Sequence, residues 1–192
     1  MTDSFIEELS QPKPNPGGGA ASAHGALLAL GIVEKIVRLE LRRDFAAGLS
    51  PSTQLLDAVM ELKTRLSSLR EEDSRAYLRL AEARALDPDV SQVAEALNQA
   101  IECPKLMMQC GCKILILITE IGASCKRHLV SDLQVSAELA SAAVRGAFHI
   151  ATANTRFVKD AASRADRLRQ LAAISRDAET RFRNAQDILN SY

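Results

Sequence analysis

The chain has 192 residues, enough for one domain with its own hydrophobic core, and no linker or internal repeat divides it. Lys plus Arg and Asp plus Glu each number 24, so the basic excess of a general nucleic-acid binder is absent and no nucleic-acid partner is expected. Aromatic residues are 4%, Trp is missing and good helix formers outnumber β-branched residues, which predicts an all-α fold: five to six long helices in one domain over 1–192.

The opening "MTDSFIEELS" is acidic and lacks the basic-then-apolar order of a signal peptide. The longest apolar run, "ILILI", is far too short to cross a bilayer. Both point to a cytoplasmic protein without a membrane partner, in which Cys103, Cys110, Cys112 and Cys125 stay reduced. Cys110 and Cys112 are two apart and face different sides of a helix, so they read as small buried hydrophobes and no metal is expected.

In chain order, Ser4 and Glu7 have capping-box spacing at the start of a short helix. "PNPGGGA" interrupts it, and a second helix is predicted from Ala20 to Phe45. Its first half is rich in Ala, with Gly25 and Gly31, which suggests close helix packing. Ser50-Pro51 opens a third helix to Ala85. Its positions 55, 59, 62, 66, 69, 73, 76 and 80 form an a/d seam that is apolar except at Asp73.

Asp87-Pro88 opens a fourth helix, with Val90, Val93, Leu97 and Ile101 inward and Pro104 expected to kink or divide it. The segment after Pro104 is the most apolar of the chain and reads as the central helix, stopping at Gly122. Ser131 and Gln134 have capping-box spacing for a fifth helix to Val158, with Val135, Leu139, Ala142, Gly146, Ile150, Ala153 and Phe157 as its stripe. Asp160 caps a sixth, with Leu168, Leu171, Phe182 and Ile188 or Leu189 inward. Helices with so strong a seam can also bury a face against a second copy, so a homodimer is expected.

Some features do not follow from bundle building. Asp73 is a carboxylate on a core seam, which is costly unless it is paired or hydrogen-bonded. Ser131-Asp132 either caps a helix or belongs to a site. Lys126, Arg127 and His128, just before it, either gather an anion or form a solvated loop. Gly17, Gly18 and Gly19 either make a turn or let a ligand approach backbone N–H groups. Neither the Walker loop nor the dinucleotide fingerprint fits them, because the Lys-Ser/Thr ending and a preceding strand are both missing. Asn154 shares a broad face with Ile150 and Phe157 and needs partners if buried.

Five segments, in order, resemble a known family. "PNPGGGAASAHGALLAL", "EEDSRAY", "ECPKLMM", "LVSDLQVSA" and "GAFHIATANTRFV" are similar to segments of the formiminotransferase-cyclodeaminase C-terminal domain and of bacterial methenyltetrahydrofolate cyclohydrolases. The resemblance implies an all-helical dimer whose glycine loop helps form a folate site, with a tetrahydrofolate derivative as substrate and no further cofactor. It implies chemistry on the one-carbon unit bridging N5 and N10. A cyclohydrolase adds water to the 5,10-methenyl cation to give the 10-formyl form. A cyclodeaminase closes the 5-formimino form and releases ammonia.

The candidate catalytic carboxylates are then Asp73 and Asp132, which can stabilise the cation and take a proton from water. Asn15, Pro16, Gly17, Gly18, Gly19, Ser131 and Asn154 are candidate substrate contacts. Lys126 and Arg127, or Arg38 with Arg42, are candidates for the anionic glutamate tail. Where the family pattern carries polar residues, Ala20, Arg38, Glu40 and Ile150 differ. No formiminotransferase segment is present, which favours the cyclohydrolase; a cyclodeaminase would need a separate formiminotransferase as partner. A folate-binding helical dimer without turnover is the reading from another class.

Overall fold

A computed structural model describes residues 4–48, 53–85 and 90–191. The described elements are α1 (Ser4–Leu9), α2 (Gly18–Ala46), α3 (Gln54–Ala85), α4 (Val90–Gly122), a single 3₁₀ turn (Arg127–Leu129), α5 (Val130–Thr155) and α6 (Ala161–Asn190). The all-α architecture is as the composition predicts. The Ser50-Pro51 and Asp87-Pro88 helix starts lie outside the described residues.

The core forms where the apolar stripes meet. α4 packs on α2, α3, α5 and α6, and its Met108, Ile114, Leu115 and Ile118 are fully buried, as expected of a central helix. The α3 seam closes as its spacing predicts: Val59, Leu62, Leu66, Leu69, Ala76 and Leu80 are buried. Among the described helices α2 alone is long and apolar enough to cross a bilayer by length and composition; 44% of that stretch is buried inside the fold. Burial raises the thiol pKa values of all four cysteines, Cys103 to about 12 and Cys112 to about 11. Among the described residues no three His, Cys, Asp or Glu side chains gather as a metal site.

Four expectations are corrected. Of the two outcomes expected at Pro104, a kink or a division, the division does not occur: α4 runs through Pro104 as one helix. α2 begins at Gly18, two residues early, and so takes two of the loop glycines into its first turn. Ser131 caps nothing: the 3₁₀ turn runs straight into α5, whose N-cap position is Leu129, and Ser131 falls inside the first turn. α5 ends at Thr155, where the chain turns through Phe157 N–H to Asn154 and Val158 N–H to Thr155. By contrast, Asp160 caps α6 as read, its carboxylate accepting from Ser163 N–H at 2.7 Å.

The largest difference is the face of α5. The predicted stripe follows bulky residues, yet Val135 and Phe157 are over half exposed. The buried side is rich in small residues, Ser136, Ala137, Ala140, Ala143, Ala147 and Ala151, with Leu133 and Val144 among them. α5 packs between α2, α4 and α6, and the small side chains allow close helix approaches. α2 and α5 run antiparallel, with Gly18 beside Ile150, Ser22 against Gly146 and Lys35 at Asp132. Gly111 of α4 shows how tight this is. A Cβ there would lie 2.3 Å from Val144 Cγ2 of α5.

Gly111→Val should therefore lower stability by about 1–3 kcal/mol in urea unfolding, despite a better helix propensity. Adding Val144→Ala should recover part of the loss.

Candidate active site

The site is built where α2 begins. α1 is held over that start by Phe5, which stacks on His24 of α2 at 4.3 Å, with the Arg70 guanidinium of α3 5.5 Å from the Phe5 ring centre. The chain then crosses to α2 through Pro14-Asn15-Pro16, with a cis Asn15–Pro16 peptide. Asn15 Nδ2 donates to Ser74 O of α3 at 2.9 Å and ties the loop down.

Gly17 is the N-cap of α2 and offers no side chain to the orphan N–H groups. Asp73, from α3, takes that role and accepts from Ala20 N–H. This contact requires Gly19, because a Cβ there would lie 2.2 Å from Asp73 Oδ2. The neighbouring glycines are less constrained: an added Cβ at Gly18 would stand 3.2 Å from Ile150 Cδ1, and one at Gly17 only 3.6 Å from Pro14 O.

A cavity of about 260 Å³ opens beside this contact. Asn15 and Gly17–Gly19 wall one side, and Asp73, Tyr77 and Leu80 of α3 wall another. Ala100 of α4 with Ile150 and Asn154 of α5 completes it, and among the described residues no Lys, Arg or His lines it. Asn154 Nδ2 donates to Ala100 O at 2.7 Å. Burial pushes the Asp73 carboxyl up from 3.8 to about 6, opposed only in part by the Ala20 N–H. A carboxylate poised there is a proton acceptor at neutral pH whose conjugate acid is not too weak to give the proton back. A larger groove of about 380 Å³ lies between α5 and α6, but its charges are already engaged: Arg183 pairs with Glu179, and Arg145 bonds Ser141 Oγ.

The predicted site residues fall into two groups. Asp73, Asn15, Gly17, Gly18, Gly19 and Asn154 share the cavity, with Pro16 in the loop beside it. Asp132 is elsewhere, 2.5 Å from Lys35 Nζ. Lys35 is sixteen residues beyond Gly19 on the same helix, about 24 Å along its axis. Ser131, Lys126 and Arg127 are exposed at that same end. Arg38 and Glu40 also lie toward it, paired with Glu34 and Arg43 respectively. Among the departures from the family pattern, only Ala20 and Ile150 touch the cavity region, and Ala20 serves through its backbone N–H. Tyr77 and Ala100 were missed. Tyr77 follows Asp73 by one helical turn, a spacing visible in "EEDSRAY".

The raised pKa fixes a pH dependence. The folded chain holds the Asp73 proton more tightly than the unfolded chain, so ionising Asp73 costs stability as pH rises from about 4 to 6, and the cost is complete above that. Asp73→Asn cannot ionise. It should unfold at higher urea than the native sequence at pH 7–8, by up to about 3 kcal/mol, and the advantage should vanish below about pH 4. Gly19→Ala should displace Asp73 and lose the Ala20 N–H bond, which amide exchange at Ala20 would report.

A profile of the formiminotransferase-cyclodeaminase family matches residues 1–173. Formimidoyltransferase-cyclodeaminase from Sus scrofa is 23% identical over 185 residues, which cover 92% of this chain and 34% of the relative; the chain thus spans about a third of that protein's length. Methenyltetrahydrofolate cyclohydrolase from Methylorubrum extorquens is 21% identical, over 92% of this chain and 89% of its own. The crystal structure of a formiminotetrahydrofolate cyclodeaminase from Thermotoga maritima has the same fold, with a TM-score of 0.85 over 97% of this chain and 94% of that one, at 17% identity. The profile match takes in all the cavity residues, and the chain belongs to the formiminotransferase-cyclodeaminase family.

Proposed function

We propose that the chain is a folate one-carbon enzyme that hydrolyses 5,10-methenyltetrahydrofolate to 10-formyltetrahydrofolate at the Asp73 cavity. The observation that carries this is the cavity's character: a carboxylate with a pKa of about 6, flanked by two amides and with no cationic side chain among the described residues that line it. The methenyl carbon belongs to a delocalised cation, which such a wall stabilises. Water attacks that carbon and passes a proton to Asp73. Collapse of the hydroxy adduct breaks the bond to N5, leaves the formyl group on N10, and releases one proton overall. A cyclodeaminase would use the same carboxylate to move protons as ammonia departs from the formimino carbon.

Loss of the methenyl absorbance on mixing with protein tests this. The rate should rise as pH passes through about 6 and Asp73 ionises. Asp73→Asn should slow turnover at least about tenfold with the fold intact. Rates equal to the uncatalysed reaction reject the cyclohydrolase; ammonia release from 5-formiminotetrahydrofolate would then identify the cyclodeaminase, and tight folate binding without either would identify a binding protein.

A second copy of the chain is the partner we propose. One side of the α2–α5 pair is apolar and open: Leu28, Leu39 and Val135 are 43–53% exposed, and Gly31 has nothing within 4 Å of an added Cβ. This face runs from the Asp132 end toward the cavity end. A two-fold axis across its middle exchanges the two ends. Asp132 of the partner subunit would then approach the Asp73 cavity, together with the basic residues near it. Sedimentation should give a dimer, and Leu28→Asp should give monomers. Mixing inactive Asp73→Asn with inactive Asp132→Asn should restore activity through heterodimers that hold one intact site. No recovery would mean that Asp132 serves only its ion pair with Lys35.

A further inference from the structure

Pro104 has no N–H, so the carbonyl four residues earlier, Ala100 O, has lost its usual partner inside α4. The ring of a mid-helix proline also pushes that carbonyl outward. Ala100 O faces the cavity side of α4, and the group that meets it is Asn154 Nδ2, at 2.7 Å. A carbonyl can only accept, so the NH₂ end of the Asn154 amide must point at α4. The opposite end of the same planar amide, Oδ1, is thereby turned away from α4.

Asn15 repeats the arrangement across the cavity. Its Nδ2 donates to Ser74 O at 2.9 Å, the carbonyl of the residue after Asp73. Two amides therefore line the cavity with their donor ends anchored on helix carbonyls. Together with Asp73 they turn oxygen acceptors toward a ligand, beside the Tyr77 hydroxyl.

We propose that Pro104 is a positioning residue for ligand recognition. It frees Ala100 O, which fixes the Asn154 amide so that Oδ1 accepts from an N–H-bearing, cationic or amidine-like part of the ligand. The choice of ligand rests on the folate reading above; the Pro104–Ala100–Asn154 linkage does not. The linkage also gives a reason for a buried proline to persist in the middle of the central helix, where it would otherwise only cost stability.

Pro104→Ala is the test, because it restores the helical N–H and should not weaken the fold. The melting temperature should equal or exceed that of the native sequence. Exchange of the Asn154 side-chain amide protons, followed by NMR, should become faster. KM for the folate substrate should rise about three- to tenfold, with kcat little changed. Asn154→Leu should raise KM by a similar factor, and the double variant should be no worse than Asn154→Leu alone, since both act through one hydrogen bond. Unchanged Asn154 amide exchange in Pro104→Ala, or KM effects that multiply in the double variant, overturns the proposal. If the native protein turns over neither folate, the function reading fails by itself, and the amide exchange still decides the linkage.

Discussion

The contact between the Asp73 carboxylate and the start of α2 organises the site. A helix start carries orphan N–H groups and a partial positive charge. Here a neighbouring helix supplies the acceptor, because the N-cap position is a glycine. One atom-scale requirement, the missing Cβ of Gly19, lets α3 come this close. The same carboxylate caps a helix, lines a cavity and carries a raised pKa. The helix N-terminus alone does not neutralise it, since desolvation outweighs the Ala20 hydrogen bond. Asp73 is thus a net structural cost above its pKa.

Much of the fold was legible. The α3 seam gave the buried face of that helix and singled out Asp73 as its exception. The apolar run after Pro104 gave the central helix, and the Asp160 cap gave the start of α6. What failed did so for identifiable reasons. In α5, size was taken as the guide to burial, but between three neighbours much of the inner side is alanine, which permits close helix approach, while Val135 and Phe157 stay exposed. At Ser131, a capping-box spacing was present, but the preceding 3₁₀ turn had already begun to wind the chain. Gly31 was read as a packing residue, and a Cβ added there would meet no atom of the described residues within 4 Å.

The site itself was legible as a set of residues but not as a place. Asp73, the glycines, Asn15 and Asn154 converge from three helices and the loop before α2, and only the tertiary arrangement puts Ala100 of α4 among them. Asp132 carried an equal weight in sequence and lies at the other end of α2. The distances along an antiparallel helix pair cannot be read from motif order, because motifs far apart in sequence can be level or opposed depending on where each helix starts. The charge of the chain as a whole was no guide either: a balanced total conceals a cavity whose described lining holds a carboxylate and no cation.

The four cysteines have a practical side. They are shared between α4 and the turn after it, buried, with thiol pKa values raised by desolvation. A thiolate is the species that alkylating reagents attack, and at neutral pH almost none exists at these positions in the folded chain. The native protein should therefore be nearly silent to such reagents, while any opening of the central helix exposes several thiols together. The core carries its own clock: the rate at which thiols become labelled is the rate, or the population, at which α4 comes away from its neighbours.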